Sequence, residues 1–276
     1  MSGEIDWAGR WRALIAGRDD QRGETGRDGD PRRDPWRGRA ERFAAYSAAL
    51  PDDDPLLLRL RAAVGPADMV LDVGAGTGRY ALPLAGLARR VVAVEPSPAM
   101  RRHLEDRIAA AGIGNITVTA AAWPDAEVAP AEVTVCAHVV YGVREIAPFL
   151  RALDHHTTRL VLIAIRVDQH PGLLALARDL FGEERVRQPA LLDLYNALAE
   201  IGIAADVQIT PASSGFRFAD HEAAFAHYRD RLRLPPDGPT AERLRAILAE
   251  RLLREEDGHW RWPEPPPRNA IVSWAK

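Results

Sequence analysis

The feature that most constrains the fold is the stretch 69–78, which reads M-V-L-D-V-G-A-G-T-G. An apolar strand pattern runs directly into three alternating glycines, and an apolar-periodic helix pattern follows at 80–88. Glycines adopt positive φ without strain and let a ligand lie against the main chain. Because parallel sheets bind ligands at the carboxyl ends of their strands, the turn predicts a nucleotide-type cradle.

An acidic residue sharpens this prediction. A second apolar run, 91–94, ends at Glu95, roughly twenty residues beyond the first glycine. A carboxylate there can accept ribose hydroxyls, each contributing about 1.5–3 kcal/mol. The dinucleotide fingerprint requires a third glycine at position 79, where this chain has Arg79. The pattern therefore predicts a nucleoside ligand and argues against a dinucleotide.

The same stretch resembles motif I of the class I S-adenosylmethionine-dependent methyltransferases, V-L-D-x-G-x-G-x-G, with Glu95 in the place of their ribose-binding acid. The resemblance implies S-adenosylmethionine as cofactor and S-adenosylhomocysteine as product. It implies an enzyme that moves the sulfonium methyl to a small-molecule acceptor by in-line displacement. Two alternatives stay open: a non-catalytic S-adenosylmethionine-binding protein, and a nicotinamide-dependent oxidoreductase.

From residue 69 onwards, strand and helix patterns alternate, as in a parallel sheet covered on both faces. The resemblance covers residues 70–165 well and the flanks poorly. The prediction is an α/β fold: a Rossmann-like, seven-stranded, mostly parallel sheet with helices on both faces, N-terminal helices, and a helical insertion between the last two strands. The expected strands are 69–73, 90–94, 116–121, 133–140, 159–165, 205–210 and 270–275.

The domain organisation follows from shifts in composition. A stretch rich in Gly, Asp and Arg separates an amphipathic N-terminal pattern from the rest and predicts a flexible linker. Asp220 and Thr240 are predicted to cap two helices of the insertion, which can serve as a lid or as a dimer face. The expected segments are 1–65 (N-terminal helices, with the linker at 18–39), 66–210 with 269–276 (the cofactor-binding core), and 211–268 (the insertion).

The resemblance also implies a set of cofactor contacts. Many family members carry an acid after the third strand to bind adenine; this chain has Ala122 there, so Trp123 is expected to stack on adenine or merely to pack on the sheet. The implied cofactor-binding residues are Asp72, Gly74, Ala75, Gly76, Gly78, Glu95, Pro96, Met100, Ala122, Trp123, Ala137 and His138.

The end of the fourth strand faces the methyl group in this family. His138 and Tyr141 are therefore the candidate catalytic bases, although either can instead be a hydrogen-bonding wall of the pocket. The candidate substrate-binding residues are Trp11, Tyr46, Tyr141 and His170. No tight metal-ligand spacing is present, and the single cysteine, Cys136, lies in an apolar run, so no metal site is expected.

Charge and hydropathy limit the classes of binding partner that are expected. The net charge is −3 and no basic stripe carries interleaved aromatics, so no nucleic-acid partner is expected. No apolar run reaches membrane-spanning length, and the first ten residues carry three charged side chains, so a cytoplasmic protein without a membrane partner is expected. A homodimer formed through the insertion stays an open expectation.

Overall fold

The computed structural model describes residues 5–24, 34, 36, 39–48, 50–168, 171–182, 184–210, 217–232, 234–264 and 268–276. The strands in this part of the chain are Met69–Val73 (β1), Arg90–Val94 (β2), Ile116–Thr119 (β3), Ala131–Ala137 (β4), Thr157–Arg166 (β5), Asp206–Thr210 (β6), Arg217–Phe218 (β7), Leu253–Arg254 (β8), Trp260–Arg261 (β9) and Asn269–Ala275 (β10).

The α-helices of the same ranges are Trp7–Glu24 (α1), Ala40–Ala48 (α2), Pro55–Ala63 (α3), Ala81–Ala85 (α4), Pro98–Ala110 (α5), Ile146–His155 (α6), Pro171–Phe181 (α7), Leu191–Glu200 (α8), His221–Leu232 (α9) and Pro239–Arg251 (α10). A 3-10 turn covers Val140–Gly142.

The predicted seven-stranded sheet is confirmed. Its order is β3-β2-β1-β4-β5-β10-β6, and only the β10 pairings, with β5 and β6, are antiparallel. The central strands are buried along most of their length, as expected where helices cover both faces. The strand order reverses beside β1, which places a ligand crevice at the carboxyl ends of β1 and its neighbours.

Two apolar cores lie on opposite faces of this sheet. One contains side chains of α1, α6 and α8, and the other contains side chains of α3, α4 and α5. Local signals set the helix starts: Ser97 accepts a hydrogen bond from the Met100 amide and Pro98 occupies the first turn of α5. Asp54 and Pro55 begin α3 in the same way.

The N-terminal helix is longer than its apolar pattern indicates. The sequence places the linker from residue 18, yet α1 continues to Glu24. Its polar extension is held by tertiary partners: Arg18 is buried and donates to the Tyr141 carbonyl at 2.8 Å, and Asp19 pairs with Arg144 at 3.0 Å. The change to a polar composition at residue 18 therefore does not mark the end of the helix, and the predicted linker began too early.

The insertion is not purely helical. Strands β7, β9 and β8 form a small antiparallel sheet beside α9 and α10. Its apolar core includes Leu176 and Ala177 of α7, which lies outside the predicted bounds of 211–268. Asp220 accepts from the Ala223 amide as expected, whereas the second helix begins after Gly238 rather than at Thr240. No helix among the described residues is long and apolar enough to span a membrane.

Candidate functional site

The glycine turn between β1 and α4 has the backbone that the sequence predicts. Gly74, Gly76 and Gly78 have φ values of 73°, 58° and 85°, in the left-handed region. A Cβ at Gly74 would overlap the Val139 side chain, and one at Gly78 would overlap Leu82. At Gly76 the nearest atom would be Phe43 Cε1 at 3.5 Å, an ordinary contact. Packing therefore leaves no room for side chains at the outer two positions, whereas a Cβ at the buried Gly76 would only touch the Phe43 ring.

Glu95 joins this turn to β2. Its carboxylate accepts the Gly76 amide at 2.8 Å and the Ser97 amide at 2.8 Å. The side chain is 5% exposed, and burial raises its pKa against the opposing effect of these two hydrogen bonds. The carboxylate is thus fixed at the tip of β2 with its remaining lone pairs available for ribose hydroxyls.

Asp72 lies directly below the turn, near the end of β1. It is 2% exposed, and its Oδ2 atom has no hydrogen-bond partner. Burial, followed by the charge of Glu95, raises its pKa to about 7. A buried carboxylate oxygen without a partner is uncommon in folded proteins, and at this place it suits a cationic ligand group.

These features fit S-adenosylmethionine. The cofactor carries an ammonium group that would supply the partner that Asp72 Oδ2 lacks, and a ribose whose hydroxyls suit Glu95. The left-handed glycine turn carries no Cβ at positions 74, 76 and 78 that would hold a ligand away from the main chain. The residues present therefore fit the group that the sequence resemblance implies.

A segment near the N-terminus lies over the cradle; Asp34, Trp36 and Phe43 define it here as the N-terminal cover. Asp34 Oδ2 accepts from Ser97 Oγ at 2.7 Å and from the Ala99 amide at 3.0 Å. The Trp36 and Phe43 rings lie 5.3 Å apart. Partial burial raises the pKa of Asp34, but hydrogen bonds from Trp36, Ser97 and Ala99 outweigh it and lower the pKa. No sequence pattern indicated this role of Asp34.

The four residues predicted on the adenine side differ in exposure. Pro96 and Ala122 are exposed, and Met100 is buried. Trp123 donates its indole N–H to the Phe149 carbonyl at 3.2 Å, and its ring meets His156 edge-on at 5.1 Å. These contacts favour the packing interpretation of Trp123, and its stacking on adenine stays a prediction.

At the end of β4 the backbone turns sharply. Ala137 is half-buried, and His138 has φ 60°, a strained value for a residue with a side chain. His138 Nδ1 lies 3.0 Å from Tyr141 Oη, and the two rings are parallel to within 13°. Tyr141 Oη accepts the Arg166 amide at 2.8 Å. The two candidate catalytic residues are therefore brought together and fixed to the end of β5.

Their electrostatics disfavour acid–base chemistry at neutral pH. The His138 side chain is exposed at the end of β4, but desolvation by the protein atoms packed around the ring, with the charges of Arg166 and Arg79, lowers its pKa to about 3. Burial raises the pKa of Tyr141 to about 12. Neutral His138 is therefore a weak proton acceptor and Tyr141 keeps its proton across the physiological range, so both suit hydrogen bonding better than proton abstraction.

Of the remaining predicted substrate residues, the structure describes the side chain of Trp11 alone. Trp11 is completely buried and donates its indole N–H to the Val143 carbonyl at 2.7 Å, so its ring packs in the core and presents no surface to a substrate. The side chain of Tyr46 and the whole of His170 lie outside the described residues. Sequence reasoning missed Arg166, although its place at the end of a predicted strand was the signal that could have found it.

Comparisons with known proteins identify a methyltransferase domain and a shared fold. Residues 70–158 match a family model described as a methyltransferase domain. A search of curated proteins found no match. Among solved structures, a putative methyltransferase from Bacillus halodurans has a TM-score of 0.57 at 13% identity, covering 81% of this chain and 99% of that one.

Two further structures share the fold. The YcgJ protein from Bacillus subtilis has a TM-score of 0.56 at 13% identity, over 79% of this chain and 96% of that one. A putative sarcosine dimethylglycine methyltransferase from Galdieria sulphuraria has a TM-score of 0.51 at 12% identity, over 85% of each chain. At these identities the likeness concerns the fold alone.

Proposed function

We propose that this chain, which is a class I S-adenosylmethionine-dependent methyltransferase, transfers the methyl group to a small-molecule acceptor held over the carboxyl ends of β4 and β5. The observation that carries the proposal is Asp72 Oδ2, a buried carboxylate oxygen without a partner beneath a left-handed glycine turn. A cation-bearing nucleoside satisfies both features at once.

Each side chain has a separate role in binding. Glu95 holds the ribose, because its carboxylate is already oriented by the Gly76 and Ser97 amides. Asp72 holds the ammonium group, and the pair of charges lowers the pKa of Asp72 once the ligand is bound. Gly76 provides close approach to the main chain. The N-terminal cover, tied to α5 through Asp34, excludes water from the same crevice.

When bound, S-adenosylmethionine supplies an activated sulfonium methyl, so the protein needs mainly to align the acceptor with it. His138 and Tyr141 orient the acceptor as neutral hydrogen-bonding groups beside the methyl position. Because a lowered pKa makes His138 a weak proton acceptor and a raised pKa keeps Tyr141 protonated, we expect an acceptor atom that is nucleophilic without losing a proton to them. The chain therefore contributes positioning rather than proton transfer.

The nature of the acceptor and the setting of the protein are part of the proposal. The net charge of −3 supports a small molecule rather than a nucleic acid. We place the enzyme in the cytoplasm, and we assign the insertion, with its own core, to a dimer face or a lid. Sedimentation of the purified protein distinguishes a monomer from a dimer.

Calorimetric titration tests the cofactor. We expect S-adenosylhomocysteine to bind at one site per chain and NAD to give no heat of binding. Binding of NAD with no binding of S-adenosylhomocysteine would reject the proposal. Glu145→Gln is a suitable control variant, because Glu145 pairs with Arg12 on the surface and does not contact the glycine turn.

A further inference from the structure

We propose that Arg166 is the anchor for a carboxylate group of the acceptor, and that the substrates are therefore small carboxylate-bearing molecules. This inference rests on the proposed function and specifies its substrate class. The observation behind it is an arginine without a carboxylate partner, among the described residues, next to the candidate catalytic pair.

Arg166 ends β5 on the acceptor side of the crevice. The ribose acid, Glu95, belongs to β2 and the glycine turn to β1, whereas β4 and β5 follow on the other side of β1. Adjacent strands are about 4.8 Å apart, so the end of β5 lies roughly 10 Å from the end of β1. A cofactor over β2 and β1 therefore directs its methyl group toward β4, and an acceptor beyond that methyl lies near Arg166.

The side chain of Arg166 is positioned but not neutralised. Its guanidinium lies over the Tyr141 ring, 5.7 Å from the centroid, and its amide donates to Tyr141 Oη. Within the described ranges it has no salt bridge and no side-chain hydrogen bond. Arg79, the other cation acting on His138, is paired with Asp54 at 3.3 Å.

Arg166 is therefore a positive charge beside Tyr141 with no acidic partner among the described residues. A half-buried guanidinium, more weakly screened than a surface charge, favours binding of an anion. A single guanidinium presents two parallel N–H groups, which match a carboxylate in geometry and in charge. A phosphate dianion would keep one negative charge unbalanced, so the site favours a monoanionic carboxylate.

Titration of the protein saturated with S-adenosylhomocysteine tests this assignment, with benzoate and acetate as probes and benzamide as an uncharged isostere of benzoate. We expect benzoate to bind at least tenfold more tightly than benzamide. Arg166→Gln should weaken benzoate binding at least tenfold and leave S-adenosylhomocysteine affinity within twofold, while Arg166→Lys should fall between.

Arg254→Gln is the matched control, because Arg254 also lies over an aromatic ring, Trp260, at 5.9 Å, but in the small sheet. It should not change benzoate binding. The inference is overturned if neither carboxylate binds the wild type, if inorganic phosphate binds as tightly as benzoate, or if Arg166→Gln binds benzoate normally. A tenfold loss of S-adenosylhomocysteine affinity in Arg166→Gln would assign Arg166 to the cofactor carboxylate instead. Failure of S-adenosylhomocysteine to bind the wild type would reject the proposed function itself.

Discussion

Replacing Asp72 by asparagine should stabilise the ligand-free protein at alkaline pH and weaken cofactor binding. The folded-state pKa of Asp72 is about 7, against a reference value of 3.8. Because the folded value is the higher one, the folded protein binds this proton more tightly than the unfolded chain. The stability that the protonated carboxyl contributes is complete below the reference value and is lost as pH rises through about 7.

The magnitude follows from the shift. A difference of about 3 pKa units, at about 1.36 kcal/mol each, makes ionised Asp72 cost about 4 kcal/mol at pH 8. Asparagine avoids this cost, but its unpaired amide group costs about 1–3 kcal/mol. The net gain is about 2 kcal/mol, which raises Tm by roughly 4–8 °C at pH 8. Loss of the charged acceptor should weaken S-adenosylhomocysteine binding by about 1.5–3 kcal/mol, roughly ten- to hundredfold.

Thermal unfolding at pH 5 and pH 8 checks the predicted change in stability, and calorimetric titration checks the predicted loss of binding. The matched control is Asp154→Asn: partial burial raises the pKa of Asp154, but Lys276 and Trp274 lower it overall, so this change should destabilise the protein and leave binding intact. The reasoning would be refuted if Asp72→Asn lowered Tm at pH 8, or if it raised Tm while S-adenosylhomocysteine bound as before.

Four further predictions concern the same crevice. Glu95→Gln should weaken S-adenosylhomocysteine binding by about 2 kcal/mol or more in calorimetry, and unchanged affinity would show that the acid does not contact the ribose. Gly76→Ala should lower the free energy of unfolding by about 1–2 kcal/mol, because alanine is strained in the left-handed region, and it should also weaken binding. Gly78→Ala should destabilise the protein more, because a Cβ there overlaps Leu82. Equal losses of Tm in the two variants would contradict this. The His138 ring should show no protonation between pH 5 and 8 in NMR titration, since its lowered pKa moves the change to about 3, and a midpoint near 6.5 would remove the argument against a base. Asp34→Ala should increase proteolytic cleavage near the N-terminal cover above pH 5, where the ionised carboxylate accepts its hydrogen bonds. Unchanged cleavage would show that other contacts hold the cover.

The fold was largely predictable because its signals are local and repeated. The central strands are mostly apolar, and helices follow β1, β2, β4 and β5, so the alternation predicts a parallel sheet covered on both faces. The extension of α1 was not predictable in this way. Its last turns are polar, and they are helical because Arg18 and Asp19 have partners more than a hundred positions away.

Some residues of the candidate site were likewise predictable from local spacing, and others were not. Gly74, Gly76, Gly78 and Glu95 follow from spacing, because a turn and a strand tip have fixed relations along the chain. The environment of His138 does not follow from spacing, since its pKa is lowered by desolvation and then by the charge of Arg166, which another strand brings close.

Two residues near the N-terminus show what sequence patterns do not predict, namely the tertiary contacts of a side chain. Trp11 was a plausible substrate contact because tryptophan is common in binding sites, and its hydrogen bond to Val143 places it in the core instead. No pattern distinguishes Asp34 within its polar stretch, yet its carboxylate binds the N-terminal cover to the start of α5. Periodicity distinguishes helix from strand but does not tell which distant partner a side chain meets.

The central claim is that the crevice above β1 and β2 binds the methyl donor through Asp72 and Glu95. The most direct test is calorimetric titration of the wild type, Asp72→Asn and Glu95→Gln with S-adenosylhomocysteine under one set of conditions. The account predicts one site per wild-type chain and at least tenfold weaker binding in each variant. Equal affinity in all three proteins, or no binding to the wild type, would contradict it.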